Sequence, residues 1–191
     1  MSRHARLPVS TRRLYLRRFR DTDSAAFAAY RSDPEVARYQ GWDAPYPLDR
    51  AAKFVAEMAT ADVDVPGEYL QIAVARASDD LLIGDVAFQP QLDEPRIVDI
   101  GFTIDPAHQG QGYAREAVGG LLGLLFESLG KHRVTASCDA RNIASTKVLE
   151  AVGMRQEAHL IESSWYKDEW TDDLLFAMLR RDWSGADESA I

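Results

Sequence analysis

Residues 99–116 read DIGFTIDPAHQGQGYARE, a stretch in which an apolar strand runs into a glycine-rich turn and then into a helix. The Asp105-Pro106 pair ends the strand, and the helix starts after Gly112. The first N–H groups of a helix have no partner within it and point outward from the positive end of the helix dipole, so such a turn can bind a phosphate group. Gly110 and Gly112 have no Cβ, which lets the backbone approach that anion closely.

Two common phosphate loops do not fit this stretch. The only Gly-Lys pair begins Gly130-Lys131-His132, and Leu125 stands where a Walker loop has its first glycine. A dinucleotide-binding turn needs a small residue three places after Gly112, where Arg115 stands. Residues 99–116 are therefore either a diphosphate site of another kind or an ordinary strand-to-helix turn with two glycines.

Hydrophobic periodicity on both sides of this stretch predicts strands and helices of a single domain. The predicted strands cover residues 12–19, 69–75, 82–88, 97–104, 134–138, 155–163 and 170–179, and the predicted helices cover 21–30, 34–41, 47–60, 114–129 and 142–152. Strands 97–104 and 134–138 flank one helix, so a right-handed crossover should make them parallel. We therefore expect an α+β fold with one mixed, strongly twisted sheet of six to seven strands and helices on both faces. The domain should span residues 1–183, with a disordered acidic tail at 184–191.

The amino-acid composition limits the classes of partner that this chain is expected to bind. The 191 residues are 46% hydrophobic and carry 30 acidic against 22 basic side chains, a net charge of −8. Such a chain repels nucleic acid and attracts a cationic amine, unless the charge serves only solubility. No run approaches the ~20 apolar residues that span a bilayer, so no membrane partner is expected. The single cysteine, Cys138, excludes an internal disulfide and agrees with a cytoplasmic location.

The turn resembles a motif of a known family. Residues 109–114, QGQGYA, resemble the Gln/Arg-x-x-Gly-x-Gly/Ala motif of the GNAT superfamily of N-acetyltransferases. Residues 139–149, DARNIASTKVL, followed by Gly153, are similar to the Asn-x-x-Ser…Leu…Gly pattern of its ribosomal-protein N-terminal (RimJ/RimL-like) branch, as are the opening 13–17 and the ending 169–179. The resemblance covers residues 11–183. Met154 and Ala158 depart from it, because the branch often has phenylalanine and glycine there, and this bears on packing and acceptor shape.

The resemblance implies the GNAT fold, acetyl-CoA as co-substrate, an amine acceptor and no metal. The strand end, Phe102, Thr103 and Ile104, is expected to pair with the pantetheine arm. The diphosphate is expected to bind the backbone amides of the motif and the residue after it: Gln109, Gly110, Gln111, Gly112, Tyr113, Ala114 and Arg115. Direct attack of a neutral amine on acetyl-CoA, with backbone N–H groups near Phe102 stabilising the oxyanion, is the expected mechanism.

Asn142 and Ser145 should reach the same edge of the sheet as the phosphate turn, because ligands of such sheets bind beyond the carboxyl ends of the strands. Asn142 can hydrogen-bond a pantetheine amide, or it can simply cap its helix, and the two roles can coexist. Ser145 can protonate the departing thiolate, directly or through water, or it can be an ordinary solvated serine.

An amine must lose a proton before it attacks a thioester. For a protein α-amine, with a pKa of about 7.7–8.0, this costs about 1–1.4 kcal/mol at neutral pH, against about 4.6 kcal/mol for a lysine-like amine. The resemblance makes two carboxylates candidates for the base, because members of the family often have an acid at these places: Asp99, in the strand before the turn, and Glu162, in the strand after the Asn142 helix. Glu162 is slightly preferred, because Asp99 is shorter and would need a water to reach. Either side chain could instead be a solvent-facing strand acid.

The remaining reactive side chains show no metal-ligand or nucleophile pattern. The four histidines, at positions 4, 108, 132 and 159, lack metal-ligand spacing, and Cys138 has no histidine partner evident in the sequence. Five aromatic residues could line an acceptor pocket or could simply pack against other side chains: Trp42, Tyr46, Trp165, Tyr166 and Trp170.

Several functions remain open at this point. The preferred one is acetyl transfer to a protein N-terminal α-amine or a small cationic amine. The alternatives are a non-catalytic acyl-CoA sensor and a polyamine or antibiotic acetyltransferase. The acceptor and the preference for acyl chains other than acetyl stay undetermined, and the oligomeric state is equally open, with a homodimer among the options.

Overall fold

A computed structural model describes residues 7–185 of the chain. The strands are β1 (Val9–Ser10), β2 (Leu14–Arg17), β3 (Leu70–Arg76), β4 (Leu82–Pro90), β5 (Ile97–Ile104), β6 (Arg133–Asp139), β7 (Arg155–Tyr166) and β8 (Glu169–Leu179). The helices are α1 (Ser24–Arg31), α2 (Pro34–Ala37), α3 (Leu48–Thr60), α4 (Tyr113–Gly123, continued by a π-helical turn at Leu124–Ser128) and α5 (Ile143–Ala151). The predicted acidic tail lies mostly outside the described residues, and the domain boundary at 183 stays a prediction.

The described strands form one mixed eight-stranded sheet in the order β1-β2-β3-β4-β5-β6-β8-β7. The predicted fold class is confirmed, but the sheet has one strand more than expected, since β1 is only two residues long and shows no alternation. The first predicted strand, 12–19, was too long. Thr11 and Leu14 close a tight turn between β1 and β2 through the bond from Thr11 N–H to the Leu14 carbonyl, 2.9 Å, and this turn removes residues 12 and 13 from the strand.

Helices pack on both faces of the sheet, as predicted, because alternate strand residues point to opposite sides. In β3, Leu70, Ile72 and Val74 belong to the core that includes α4, whereas Ala73 belongs to the core beneath α1 and α3. Gly120 lets α4 approach β2 and the turn before it closely, since a Cβ there would lie 3.1 Å from Leu16 Cδ1 and 2.9 Å from the Thr11 methyl group.

Strands β5 and β6 pair in parallel, as predicted, and then diverge. Their pairing ends at Asp99 and Thr135, although β5 stays paired with β4 as far as Ile104, and β6 stays paired with β8 as far as Asp139. The facing backbone edge of residues 100–104 therefore has no strand partner within the described chain. This V-shaped opening leads towards the glycine-rich turn.

Candidate functional site

The glycine-rich turn presents an open helix N-terminus. Gln109 Nε2 donates to the Ile104 carbonyl at 2.8 Å and ties the turn to the end of β5. Gly110 and Gly112 have φ values of 72° and 80°, in the region that favours glycine. Gly112 is the N-cap of α4, and no side chain accepts a capping hydrogen bond there, so the first amides of the helix can bind an anion.

A buried carboxylate, that of Glu116, stabilises this turn through hydrogen bonds. Glu116, in the first turn of α4, accepts hydrogen bonds from the Thr11 hydroxyl at 2.6 Å and from Arg13 N and Nε, each at 2.7 Å. Arg13 Nη1 in turn donates to the Gln111 carbonyl at 3.0 Å. Burial acts to raise the pKa of Glu116, but the bonds from Thr11 and Arg13 outweigh it and lower that pKa. The segment before β2 thus fixes the conformation of the turn.

The other residues predicted to bind the coenzyme lie at the end of β5, in the turn and in the first turn of α4. Thr103 and Ile104 are buried, while Phe102 and the first-turn residues Tyr113, Ala114 and Arg115 are half-buried. Gln111 is exposed. A side chain at Gly84 of β4 would overlap the Thr103 carbonyl, so glycine is required there for β5 to hold its position.

Asn142 and Ser145 follow the end of β6, the strand on the other side of the opening from β5. Asn142 directly precedes α5 and accepts a hydrogen bond from Ser145 N–H at 3.1 Å, which confirms that it caps the helix. Its side-chain NH₂ group makes no hydrogen bond with the described residues, so the cap leaves it available to a ligand. Ser145 is half-buried. The role of either residue towards the coenzyme stays a prediction.

A cavity of about 690 Å³ opens on the α1–α3 side of the sheet. Its floor consists of small residues of β4 and β5, notably Ala87 and Gly101, and a Cβ at Gly101 would meet no atom within 4 Å. The walls come from α1, α3, β3 and the loop before α3: Arg31, Gln40, Gly41, Trp42, Tyr46, Arg50, Lys53, Phe54, Glu57, Tyr69 and Gln71. Phe102 and Thr103 also line it, so the cavity borders the part of β5 whose edge has no strand partner in the described chain.

A buried polar network lies in this wall. Asp85 of β4 accepts hydrogen bonds from the Tyr30 hydroxyl and, at 2.7 Å, from Gln71 Nε2. Arg31 Nη2 lies 3.7 Å from Asp85 Oδ1. Burial and the negative charge of Asp85 raise the pKa of Tyr30 well above its ordinary value. The sequence pattern did not single out these residues, although one signal was present: Asp85 is an acid within an otherwise apolar strand.

The two candidate bases occupy different places. Asp99 lies where β5 and β6 diverge and accepts a hydrogen bond from the Thr135 hydroxyl. Burial and the charge of Asp99 raise the pKa of Tyr69, which lines the cavity, so Asp99 lies near that end of the cavity. Glu162 is an exposed residue at a bulge of β7, where its N–H donates to Asp172 at 2.9 Å. The residues lining the cavity do not include Glu162.

The predicted aromatic residues divide into two groups. Trp42 and Tyr46 line the cavity, but the guanidinium groups of Arg31 and Arg50 already lie 3.9 Å and 4.7 Å from their ring centroids. Trp165 packs against Trp170 at 5.4 Å on the exposed β7–β8 hairpin.

The tip of the β7–β8 hairpin is attached to the loop before α3. The Tyr166 hydroxyl donates to the Gln40 carbonyl, and Lys167 Nζ donates to the carbonyls of Ala37 and Trp42 at 2.6 Å and 3.0 Å. The hairpin thereby holds one wall of the cavity in place.

The remaining features to consider are the cysteine, possible metal ligands and possible membrane spans. Cys138 is half-buried, and burial raises the pKa of its thiol, which does not suit a nucleophile. Within residues 7–185, no group of histidine, cysteine and acidic side chains could hold a metal ion. No helix of this described part of the chain has the length and apolar character to cross a membrane.

Known proteins share this architecture. Residues 13–155 match a family model described as an acetyltransferase (GNAT) domain. The uncharacterized N-acetyltransferase YnaD of Bacillus subtilis is 29% identical over 176 residues, 92% of this chain and 99% of YnaD. A GNAT-family acetyltransferase structure from Bacillus anthracis has a TM-score of 0.82 at 26% identity, over 92% of this chain and 99% of that one. The structure of Mycobacterium smegmatis RimJ in complex with CoA-disulfide has a TM-score of 0.76 at 21% identity, over 92% of this chain and 86% of that one.

Proposed function

The chain belongs to the GNAT family of acetyltransferases and is an acetyl-CoA-dependent N-acetyltransferase, and from this premise we propose that it acetylates a primary amine bound in the cavity above Gly101. One observation carries the proposal. β5 lines a cavity large enough for a small acceptor through Gly101, Phe102 and Thr103, and beyond its unpaired edge it leads to an open helix N-terminus that suits a diphosphate.

The coenzyme would extend along the opening between β5 and β6. The amides between Gln109 and Ala114 would bind its diphosphate, with Arg115 nearby. The unpaired edge of residues 102–104 would hydrogen-bond the pantetheine arm as an added strand does. The NH₂ group of Asn142 would donate to a pantetheine carbonyl from the opposite side of the opening.

The transfer needs no covalent intermediate on the protein. The amine nitrogen attacks the thioester carbon, the C–N bond forms, and the C–S bond breaks as the oxyanion collapses. Backbone N–H groups near Phe102 would stabilise that oxyanion. Asp99 or Glu162 would take the amine proton, in either case through water if the distance requires it, and Ser145 would return a proton to the thiolate.

The acceptor is a protein N-terminal α-amine or a small amine. The similarity of residues 13–17 and 139–153 to the ribosomal-protein branch supports the first. The size of the cavity supports the second, since pockets for small ligands span roughly 300–1,000 Å³.

Release of free thiol from acetyl-CoA, measured against peptides with free N-termini, polyamines and aminoglycosides, tests the proposal. The wild type should release thiol with one of these classes. Gly112→Glu should bind no acetyl-CoA in calorimetry, because it places a negative charge in the diphosphate site. Gly119→Glu is the matched control, since a Cβ at Gly119 meets open space. Binding without thiol release for any amine would favour an acyl-CoA sensor, and no binding at all would contradict both.

The base is tested separately with Asp99→Asn and Glu162→Gln. Loss of the true base should lower kcat at neutral pH by about 10²–10⁴-fold and restore part of it at high pH, where the amine deprotonates unaided. The other variant should keep the wild-type pH profile. Equal profiles for all three proteins would show that neither carboxylate is the base.

A further inference from the structure

Lys53 is the lysine of this chain that lines the cavity above Gly101. The sequence has only four lysines among its 22 basic residues. Lys131 and Lys167 use their amines to donate hydrogen bonds to backbone carbonyls of the protein. Lys147 is exposed on α5, outside the lining of the cavity. Lys53 therefore differs from the other three lysines in its position beside the proposed acceptor site.

The position of Lys53 on α3 directs its side chain to the cavity. Arg50, Lys53, Phe54 and Glu57 all line the cavity, and their spacing of three and four residues places them on one face of the helix. Lys53 is exposed, and it makes no hydrogen bond or ion pair with any residue between 7 and 185, not even with Glu57 one helical turn later. Its amine is thus accessible to solvent and is not held by another side chain.

The amine of Lys53 can reach the middle of this cavity. A sphere with the cavity's volume of about 690 Å³ is roughly 11 Å across, and the four-carbon stem of lysine places its nitrogen roughly 6 Å from Cα. Phe102, near which the thioester oxyanion is proposed to lie, lines the same cavity. Gly101 beside it has no side chain that would block the approach of an amine.

We propose that Lys53 is an internal acceptor, which the protein acetylates in cis when acetyl-CoA is bound and no amine substrate fills the cavity. The neutral Nζ attacks the thioester carbon, a C–N bond forms and the C–S bond breaks. Water takes the proton of the amine, since Lys53 is exposed, and the departing thiolate takes a proton from water. The inference goes beyond the proposed function but rests on it, because it needs the amine and the thioester to meet in this cavity.

Holding both groups in one cavity offsets the low reactivity of a lysine-like amine, which is almost entirely protonated at neutral pH. Well-oriented groups within one molecule react as if one of them were present at about 10⁵ M or more. A lysine elsewhere on the surface meets acetyl-CoA only at its millimolar concentration in solution. Even a small part of this advantage should make Lys53 react much faster than Lys147.

The test incubates the purified protein with millimolar acetyl-CoA and no added amine, and follows the acetylation of each lysine by peptide mass spectrometry. Lys147 is the internal control, because its rate reports the uncatalysed reaction with free acetyl-CoA. Lys53 should be acetylated about 10²-fold faster or more, at a first-order rate that does not depend on protein concentration. Lys53→Arg should remove this rapid modification and leave the slow one at Lys147.

Two further measurements establish that the bound coenzyme is the donor. Gly112→Glu should lower the rate at Lys53 to that at Lys147, whereas Gly119→Glu should not. Excess CoA added to the wild type competes for the coenzyme site, so it should slow acetylation of Lys53 and leave Lys147 unchanged, and this result does not depend on the folding of a variant.

Equal rates at Lys53 and Lys147, a rate at Lys53 that rises with protein concentration, or a rate that excess CoA does not lower would overturn the inference. Thiol release with an added amine under the same conditions would then leave the proposed function intact. Binding of acetyl-CoA without transfer to any amine, added or internal, would overturn the proposed function itself.

Discussion

The hydrogen bonds that Glu116 accepts beneath the glycine-rich turn lead to a quantitative prediction. Glu116→Gln keeps the shape of the side chain but removes a charge that is only 2% exposed and accepts three hydrogen bonds. Breaking a buried charge pair costs about 3–5 kcal/mol, and we take the lower end because the Arg13 side chain is 33% exposed. A loss of ~3 kcal/mol should lower the melting temperature by roughly 6–12 °C in a domain of this size.

Thermal unfolding followed by circular dichroism measures this difference, with Glu150→Gln on the exposed face of α5 as the matched control. The pKa of Glu116 is lower in the folded state, so its charge stabilises the fold above the ordinary value of 4.5 and loses that effect as the pH falls further. The gap between wild type and variant should therefore be widest near neutral pH and shrink below pH 4.5. Equal melting temperatures for both variants, or a gap that widens in acid, would refute the supporting role of Glu116.

Three further changes test other parts of the site. Gly101→Leu should fill the open cavity floor and raise KM for the acceptor by about tenfold or more, with the Kd of acetyl-CoA unchanged in calorimetry. Gly84→Ala should displace the Thr103 carbonyl, cost about 1–3 kcal/mol of stability in denaturant unfolding and weaken acetyl-CoA binding, whereas Gly119→Ala should do neither. Lys167→Met should remove the hydrogen bonds to the Ala37 carbonyl at the end of α2 and to the Trp42 carbonyl in the loop before α3, at a cost of about 1–3 kcal/mol of stability. Steady-state kinetics should show a higher acceptor KM with little change for acetyl-CoA.

The elements that the sequence predicted well are those that local pattern determines. Strand Ile97–Ile104 and the helix after Gly112 follow from alternation, a proline stop and a glycine turn, all within a short stretch. Their parallel partner β6 follows from the handedness of the crossover. The strand β1 could not be predicted in this way, since two residues have no periodicity and only pairing with β2 defines it.

The candidate site was predictable only in part, for a related reason. The turn at Gly110 and Gly112 is contiguous in sequence, so its chemistry could be read directly. The contact between Arg31 and Asp85 joins a helix to a strand far along the chain, and neither residue stands out by spacing. Glu162 matched a frequently acidic place in the branch, but the bulge in β7 and its exposure depend on strand pairing that no local pattern reveals.

The net charge of the protein affects how fast an acceptor arrives, whereas the charges inside the cavity affect which acceptor stays bound. The overall charge of −8 attracts a cationic amine from a distance, but charges on the surface are screened beyond about 8 Å at physiological salt. Inside the cavity, the charged side chains of Arg31, Arg50, Lys53, Glu57 and Asp85 lie close to any bound acceptor and are screened less than charges on the open surface. Added salt should therefore slow capture of a cationic amine, seen as a fall in kcat/KM, more than it weakens the preference for one amine over another.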